Sequence, residues 1–250
     1  MTKSRMNKSS TFELWRGPSL IDGKPTVVLA SGFDRPSHNG KTGVMIQVYI
    51  LRADMPPQEA VNTGQDVSVC GDCKMRRFLV KIARINGATD AVECYVIPWR
   101  DAGRVWQSMI DGNVPKITPH AAGLIARRLQ RAIRLGTYGG PDAVPFDIWA
   151  QLLTAANGKH TAYTHRWEDT PELKRYAMAS INAGDHAARL KAWAQGWRTY
   201  RVLAKGEQPL PGEIMCPEET QGVQCANCGL CNGHNGHLFS GLKNITISAI

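Results

Sequence analysis

The placement of seven cysteines constrains this chain more than any other feature. Cys70, Cys73 and Cys94 lie in its first half, and Cys216, Cys225, Cys228 and Cys231 lie near its end. The spacing C-x2-C-x20-C followed by C-x8-C-x2-C-x2-C matters because a metal ion or inorganic cluster needs several thiolates converging on one place, and each C-x2-C step delivers two together. Division into three and four suggests one site with an open coordination position and one fully ligated site.

Other uses of the thiols fit less well. The opening MTKSRMNKSSTFELW is basic and polar without an apolar run behind its charges, unlike a secretory signal, and no stretch approaches the roughly 18 apolar residues of a membrane span. The expectation is a cytoplasmic protein with no membrane partner, where thiols stay reduced; an odd count of seven argues further against a disulfide framework. Nothing in the chain fixes an oligomeric state.

Lys and Arg number 30 against 21 Asp and Glu, a formal charge of +9. That balance favours a nucleic acid or an anionic nucleotide as partner. Part of it lies in the opening segment, at Lys3, Arg5 and Lys8. More lies in AAGLIARRLQRAIRLG, where helical spacing would set Arg127 and Arg131 one turn apart beside an apolar stripe of Ile125, Leu129 and Ile133. A solvated helix face is the plainer reading of that stripe.

Beyond Pro119, short extended runs alternate with helical ones, which is the pattern of β-α units. Ala121 to Arg131 reads as a helix, IRLGTY as a strand ending at Gly139-Gly140-Pro141, and Asp142 to Ala156 as a helix. HTAYTH, AMASI, WRTYRVL, GEIMC and NITISAI read as strands, with TPELKRY and AGDHAARLKAWAQG as helices. Upstream, TVVLASG and VMIQVYIL add two strands. The fold class expected is α/β, a partial or complete (β/α) barrel with Cys-rich metal-binding loops. Residues 1–25 read as a basic N-terminal segment, 26–215 as the barrel-like domain, and 216–250 as a Cys-rich metal-binding segment with a final strand. Ligands in such folds sit at the carboxyl ends of strands. That rule selects Tyr138, Gly139, His165 and Arg201 as cofactor-binding candidates, with Arg166, Trp167, Ser180 and Asn182 as further lining residues. Trp167 could offer its indole to a base, or be an ordinary buried tryptophan; Asp142 is a possible cavity carboxylate or a helix cap.

The ordered run SVCGDCKMRR, ECYVIPWRDAGRVW, RLGTYGGPDAVPFDIW, YTHRW, MASI, GWRTYRV, CPEE and CANCGLC resembles an uncharacterised family of bacteriophage proteins, some described as associated with rolling-circle replication. The order of elements also resembles the radical S-adenosylmethionine enzymes, in which a three-cysteine cluster precedes a (β/α) barrel; their usual C-x3-C-x2-C loop is replaced here by C-x2-C and a distant cysteine. The resemblance implies a [4Fe–4S] cluster on Cys70, Cys73 and Cys94 with one iron free for S-adenosylmethionine, and a fully ligated cluster on Cys216, Cys225, Cys228 and Cys231. It implies an iron-sulfur enzyme of the host cytoplasm acting on a nucleic acid or nucleotide.

The alternative is zinc in a non-catalytic, DNA-binding protein of phage replication. Cys225-Ala-Asn-Cys228-Gly and Cys70-Gly-Asp-Cys73 have the small turn residues of zinc knuckles, and His234 and His237 stand just beyond Cys231. Two other chemistries find weak support. The loop Ser37-His38-Asn39-Gly40-Lys41-Thr42-Gly43 ends like a phosphate-binding loop, but Arg35 stands where the first glycine is required. Tyr138 and Tyr163 could serve as strand-nicking nucleophiles, yet neither HTAYTH nor GHNGH has the paired-histidine pattern of such enzymes.

Overall fold

The structure, a computed structural model, describes residues 10–36, 39–89, 91–234 and 243–248. Lys3, Arg5, Lys8, Ser37, His38 and His237 lie outside the described residues, as do the last two residues of the expected final strand. The strands are β1 (Thr11–Pro18), β2 (Pro25–Ser31), β3 (Met45–Arg52), β4 (Ala132–Tyr138), β5 (His160–Thr161), β6 (Tyr163–Thr164), β7 (Met178–Ile181), β8 (Thr199–Leu203), β9 (Glu213–Met215) and β10 (Asn244–Ser248). The helices are α1 (Pro57–Asn62), α2 (Val67–Cys70), α3 (Arg77–Ile85), α4 (Asp101–Ile110), α5 (Pro119–Arg128), α6 (Phe146–Ala156), α7 (His186–Ala194), α8 (Pro217–Gln221) and α9 (Cys225–Cys228).

This is a mixed α/β arrangement of two five-stranded sheets, in the orders β1-β2-β3-β4-β5 and β6-β7-β8-β10-β9. The chain begins as an antiparallel meander: β1 pairs with β2 and β2 with β3. From β3 onward every strand pairing among the described residues is parallel. The change is legible in composition, because β3 reads MIQVYILR and is buried along its whole length, as a strand covered on both faces must be. The meander's first strand falls inside the segment expected to be only a basic lead.

The two sheets meet through a single stretch of chain. His160 and Thr161 pair with β4, Tyr163 and Thr164 pair with β7, and Ala162 lies between them. Ala162 gives its N–H to the Cys231 carbonyl at 3.0 Å and accepts from the Met178 N–H at 2.9 Å. The strand series thus runs without a break from β1 to β9, although no pairing among the described residues joins its two edges.

Helices α5 and α6 pack closely because Gly123 lies at their crossing: a Cβ there would overlap the Leu152 carbonyl and Ala155. The buried face of α5 is accordingly Pro119, Ala122, Gly123 and Ala126 rather than the expected stripe of Ile125, Leu129 and Ile133. Small side chains let the backbones approach, and Ile133 belongs to β4, after the helix has ended. Arg127 and Arg128 remain exposed, whereas Arg131 turns inward onto the Gly32 and Phe33 carbonyls.

A cavity lined by two cysteine groups

All seven cysteines line one cavity of about 890 Å3. None is paired in a disulfide. The cavity lies against β4, β6, β7, β8 and β10, under the loops that carry the thiols.

The first group is assembled by three backbone devices. Helix α2 ends at Cys70, and Gly71, at φ +59°, turns the chain toward Cys73 in a region that a side chain would strain. Arg76, only 7% exposed, braces this turn by donating to the carbonyls of Gly71 at 3.2 Å and Gly64 at 2.6 Å while ion-paired with Asp66. Cys94, twenty-one residues after Cys73, is tethered by its N–H to the Met75 carbonyl at 2.7 Å and by its own carbonyl to Arg77 at 3.0 Å. The whole group is fastened to the end of β4 by the Gly140 N–H, which donates to the Val69 carbonyl at 2.6 Å.

Two of this group's three sulfurs receive backbone hydrogen bonds. The Met75 N–H donates to Cys73 and the Val96 N–H to Cys94, contacts that favour a thiolate. Burial nevertheless dominates: it pushes the Cys73 thiol up to about 11 and raises those of Cys70 and Cys94, with neighbouring cysteines raising Cys70 and Cys73 further. In the first group Cys70 feels charge on both Cys94 and Cys73. Binding a metal here therefore means exchanging buried thiol protons for a cation.

The second group hangs from β9 and β10. Cys216 follows β9 directly and gives its N–H to Thr246 of β10 at 2.8 Å. Cys225 and Cys228 bracket the single turn α9, closed by Gly229 at φ +69°. That turn is docked on the loop before β3: Ala226 N–H donates to the Thr42 carbonyl at 2.9 Å, the Gln224 amide to Gly40 at 2.8 Å, and Lys41 pairs with Glu218 at 3.1 Å. The polar loop before β3 thus borders this cavity through Asn39, Lys41 and Thr42. Cys231 packs with Cys216, Met178 and Ile245, and burial pushes its thiol up to about 12 although Tyr163 donates to it. Cys231 feels charge on Cys216, Cys225 and Cys228.

Between the groups, β4 carries Arg134, Gly136 and Tyr138 along the cavity. Its register with β3 slips, Gln47 facing Arg134 but Tyr49 facing Tyr138, so β4 bulges at Gly136, which adopts φ +66°. Arg134 is within electrostatic reach of Cys94 and Cys225, one from each group, and Tyr138 of Cys70 and Cys94. Tyr138 Oη and Asp142 Oδ2 are buried without a hydrogen-bond partner among the described residues. The other Asp142 oxygen accepts from Thr164 at 2.9 Å, and burial raises the carboxyl's pKa. Tyr163 and Tyr200 form an aromatic wall with centroids 4.4 Å apart.

Of the cofactor-binding candidates, Tyr138, Gly139 and His165 line the cavity, as do Arg166 and Ser180. Gly139, at φ +82°, lies so close to β3 that a Cβ would collide with the Ile50 carbonyl. Arg201 does not line it. Tyr200 and Val202 face the cavity, so strand alternation turns Arg201 to the other face, where it is wholly buried between Glu213, at 2.6 Å, and Glu207. Trp167 is also turned away, 4% exposed and edge-on to Trp197; Asn182 is not part of the lining. His234 directs its ring to the Gly196 carbonyl, away from the thiols.

Arg134 and Tyr95 were not singled out as site residues by sequence reasoning. Arg134 was grouped with the helical arginines, but it lies in IRLGTY, whose extended character places it on the cavity side with Tyr138. No three Cys, His, Asp or Glu side chains among the described residues converge closely enough to hold a single metal ion. No helix among the described residues is long and apolar enough to cross a membrane. Comparison of the chain with protein-family models, with curated proteins and with solved structures finds no match.

Proposed function

We propose that this chain is an iron-sulfur protein in which two clusters flank one substrate cavity, with Cys70, Cys73 and Cys94 holding the open [4Fe–4S] cluster and Cys216, Cys225, Cys228 and Cys231 the closed one. The observation that carries the reading is that seven thiols, far apart in sequence, line a single cavity as a group of three and a group of four. Backbone N–H groups aimed at the sulfurs of Cys73 and Cys94 are the kind of contact that tunes cluster thiolates. A cluster's thiolates also converge on one body, but that body has several atoms, so they stand farther apart than the ligands of a single metal ion.

The run of parallel strands from β3 to β9 is read here as a partial (β/α) barrel, and its cavity as the place where S-adenosylmethionine and a nucleotide or nucleic-acid substrate meet. An open cluster would supply an electron for reductive cleavage of S-adenosylmethionine. The protein's part is to hold ligands near Tyr138, Gly139 and His165 and to keep water out. The proposed setting, a phage enzyme in the host cytoplasm, rests on the resemblance described above.

The test is spectroscopic. Protein purified without oxygen and reduced with dithionite should give an electron paramagnetic resonance signal from the first cluster that changes on addition of S-adenosylmethionine. Cleavage of S-adenosylmethionine should follow over minutes. An unchanged signal and intact S-adenosylmethionine would overturn the open-site reading. A zinc-bound, DNA-binding protein is the second reading, favoured by the turn at Cys225–Cys228 and its left-handed Gly229, which has the form of a zinc knuckle.

A further inference from the structure

Arg134 is a buried cation with no carboxylate partner among the described residues. It is 8% exposed, and its hydrogen-bond partner among the described residues is the Tyr95 hydroxyl, to which it donates at 2.5 Å with the guanidinium 5.9 Å from the ring centroid. A guanidinium has five N–H donors, and taking it out of water without an anion is costly. Each of the other cations lining the cavity has a carboxylate: Lys41 has Glu218 at 3.1 Å, Arg77 has Glu93 at 2.5 Å, Arg84 has Glu93 at 2.6 Å, and Arg166 has Asp169 at 2.8 Å. Of the remaining buried arginines, Arg52, Arg76 and Arg201 have carboxylates, while Arg198 has none among the described residues and instead donates through its two Nη atoms to four protein oxygens, its Nε left without a partner. Of these two arginines without a carboxylate, Arg134 is the one that faces the cavity.

Its surroundings supply donors rather than acceptors. Tyr95 accepts from Arg134, which leaves its own O–H to donate, and at 60% exposed its ring can adjust to an incoming group. Gln47, the register neighbour of Arg134 on β3, has a buried amide nitrogen with no partner among the described residues. Arg134 is within electrostatic reach of Cys94 in one group and Cys225 in the other. An anion placed on it would therefore be held between the two thiol groups.

We propose that Arg134 and Tyr95 form an oxyanion subsite that takes the phosphate of a nucleotide substrate. This deepens the reading above by naming the group by which the cavity grips its substrate, and it can fail while the metal reading stands. Oxyanions match a guanidinium in two-pronged fashion, and the phenol adds a third donor.

The test titrates anaerobically purified protein, carrying whatever metal it holds, with thymidine 5′-monophosphate, thymidine and glutarate by calorimetry. Metal content is measured on every sample. The monophosphate should bind and thymidine should bind far more weakly. Arg134→Gln should weaken the monophosphate about tenfold or more, and Tyr95→Phe, a change of one atom at a largely exposed ring, by a smaller factor of about three. Glutarate binding that depends equally on Arg134 would retain the oxyanion subsite but assign it to a carboxylate. Monophosphate affinity unchanged in both variants, or no wild-type binding of either anion, would overturn the proposal. So would loss of metal from Arg134→Gln with unchanged anion affinity, which would make the arginine a counter-charge to the thiolates.

Discussion

The N–H of Cys94 donates to the Met75 carbonyl at 2.7 Å, and this contact converts a cysteine twenty-one residues downstream into a neighbour of the C-x2-C turn. The tether runs through backbone atoms, so it survives a change of side chain at position 94. Cys94→Ala should therefore keep the far-ultraviolet dichroism of the wild type while losing the iron of the first site only, about four atoms per chain. Iron analysis of the purified variant measures it; retention of all iron would remove Cys94 from the ligand set.

Arg198 has the complementary role in the second group. It is 4% exposed and donates to the carbonyls of Leu230 at 2.8 Å, Gly233 at 2.6 Å and Lys243 at 2.6 Å, and to the Asn232 side chain at 3.1 Å. These acceptors surround Cys231. A lysine cannot span four acceptors, so Arg198→Lys should cost about 3 kcal/mol in urea denaturation and deplete the second site of metal before the first. Equal depletion of both sites would contradict the local role.

His160 supplies a pH signature of the strand that joins the two sheets. Its ring is 1% exposed and contacts the Tyr176 carbonyl at 2.9 Å, and burial holds its pKa down from 6.5 to about 4. Between these values the unfolded chain takes up a proton that the folded chain refuses, so stability present above pH 6.5 is lost as pH falls toward 4. The loss attributable to His160 is at most roughly 3 kcal/mol. His160→Gln retains a donor for Tyr176 and should flatten that part of the profile; urea midpoints at pH 7 and pH 4.5 that fall equally in both proteins would contradict the assignment.

The contact of α5 with α6 tests the packing. A methyl group at Gly123 would overlap Leu152 and Ala155, so Gly123→Ala should destabilise by about 1 to 3 kcal/mol despite alanine's better helix propensity. A thermal midpoint at or above that of the wild type would show that the helices can separate at little cost.

Much of the strand pattern was legible in sequence because apolar runs such as MIQVYILR and AMASI are bounded by clear turn residues, and parallel strands covered on both faces need such runs. The face of a strand was less legible. In WRTYRVL alternate residues point oppositely, but nothing in the run itself says which set faces the cavity; hence Arg201 was placed there and Tyr200 was not. Arg134 was hidden differently, by sharing a stretch with three arginines while belonging to the strand that follows their helix. The cysteine spacing showed two groups. That both face one cavity depends on long-range tethers, Ala226 to Thr42 and Gly140 to Val69, which leave no local trace.

The central claim is that two iron-sulfur clusters occupy these seven thiols. The most direct measurement counts iron, zinc and acid-labile sulfide per chain in protein purified without oxygen, with an absorption spectrum of the same sample. The account expects about eight irons, matching sulfide and a brown protein with a broad band near the visible edge. One or two zincs without iron or sulfide, in a colourless protein, would contradict it.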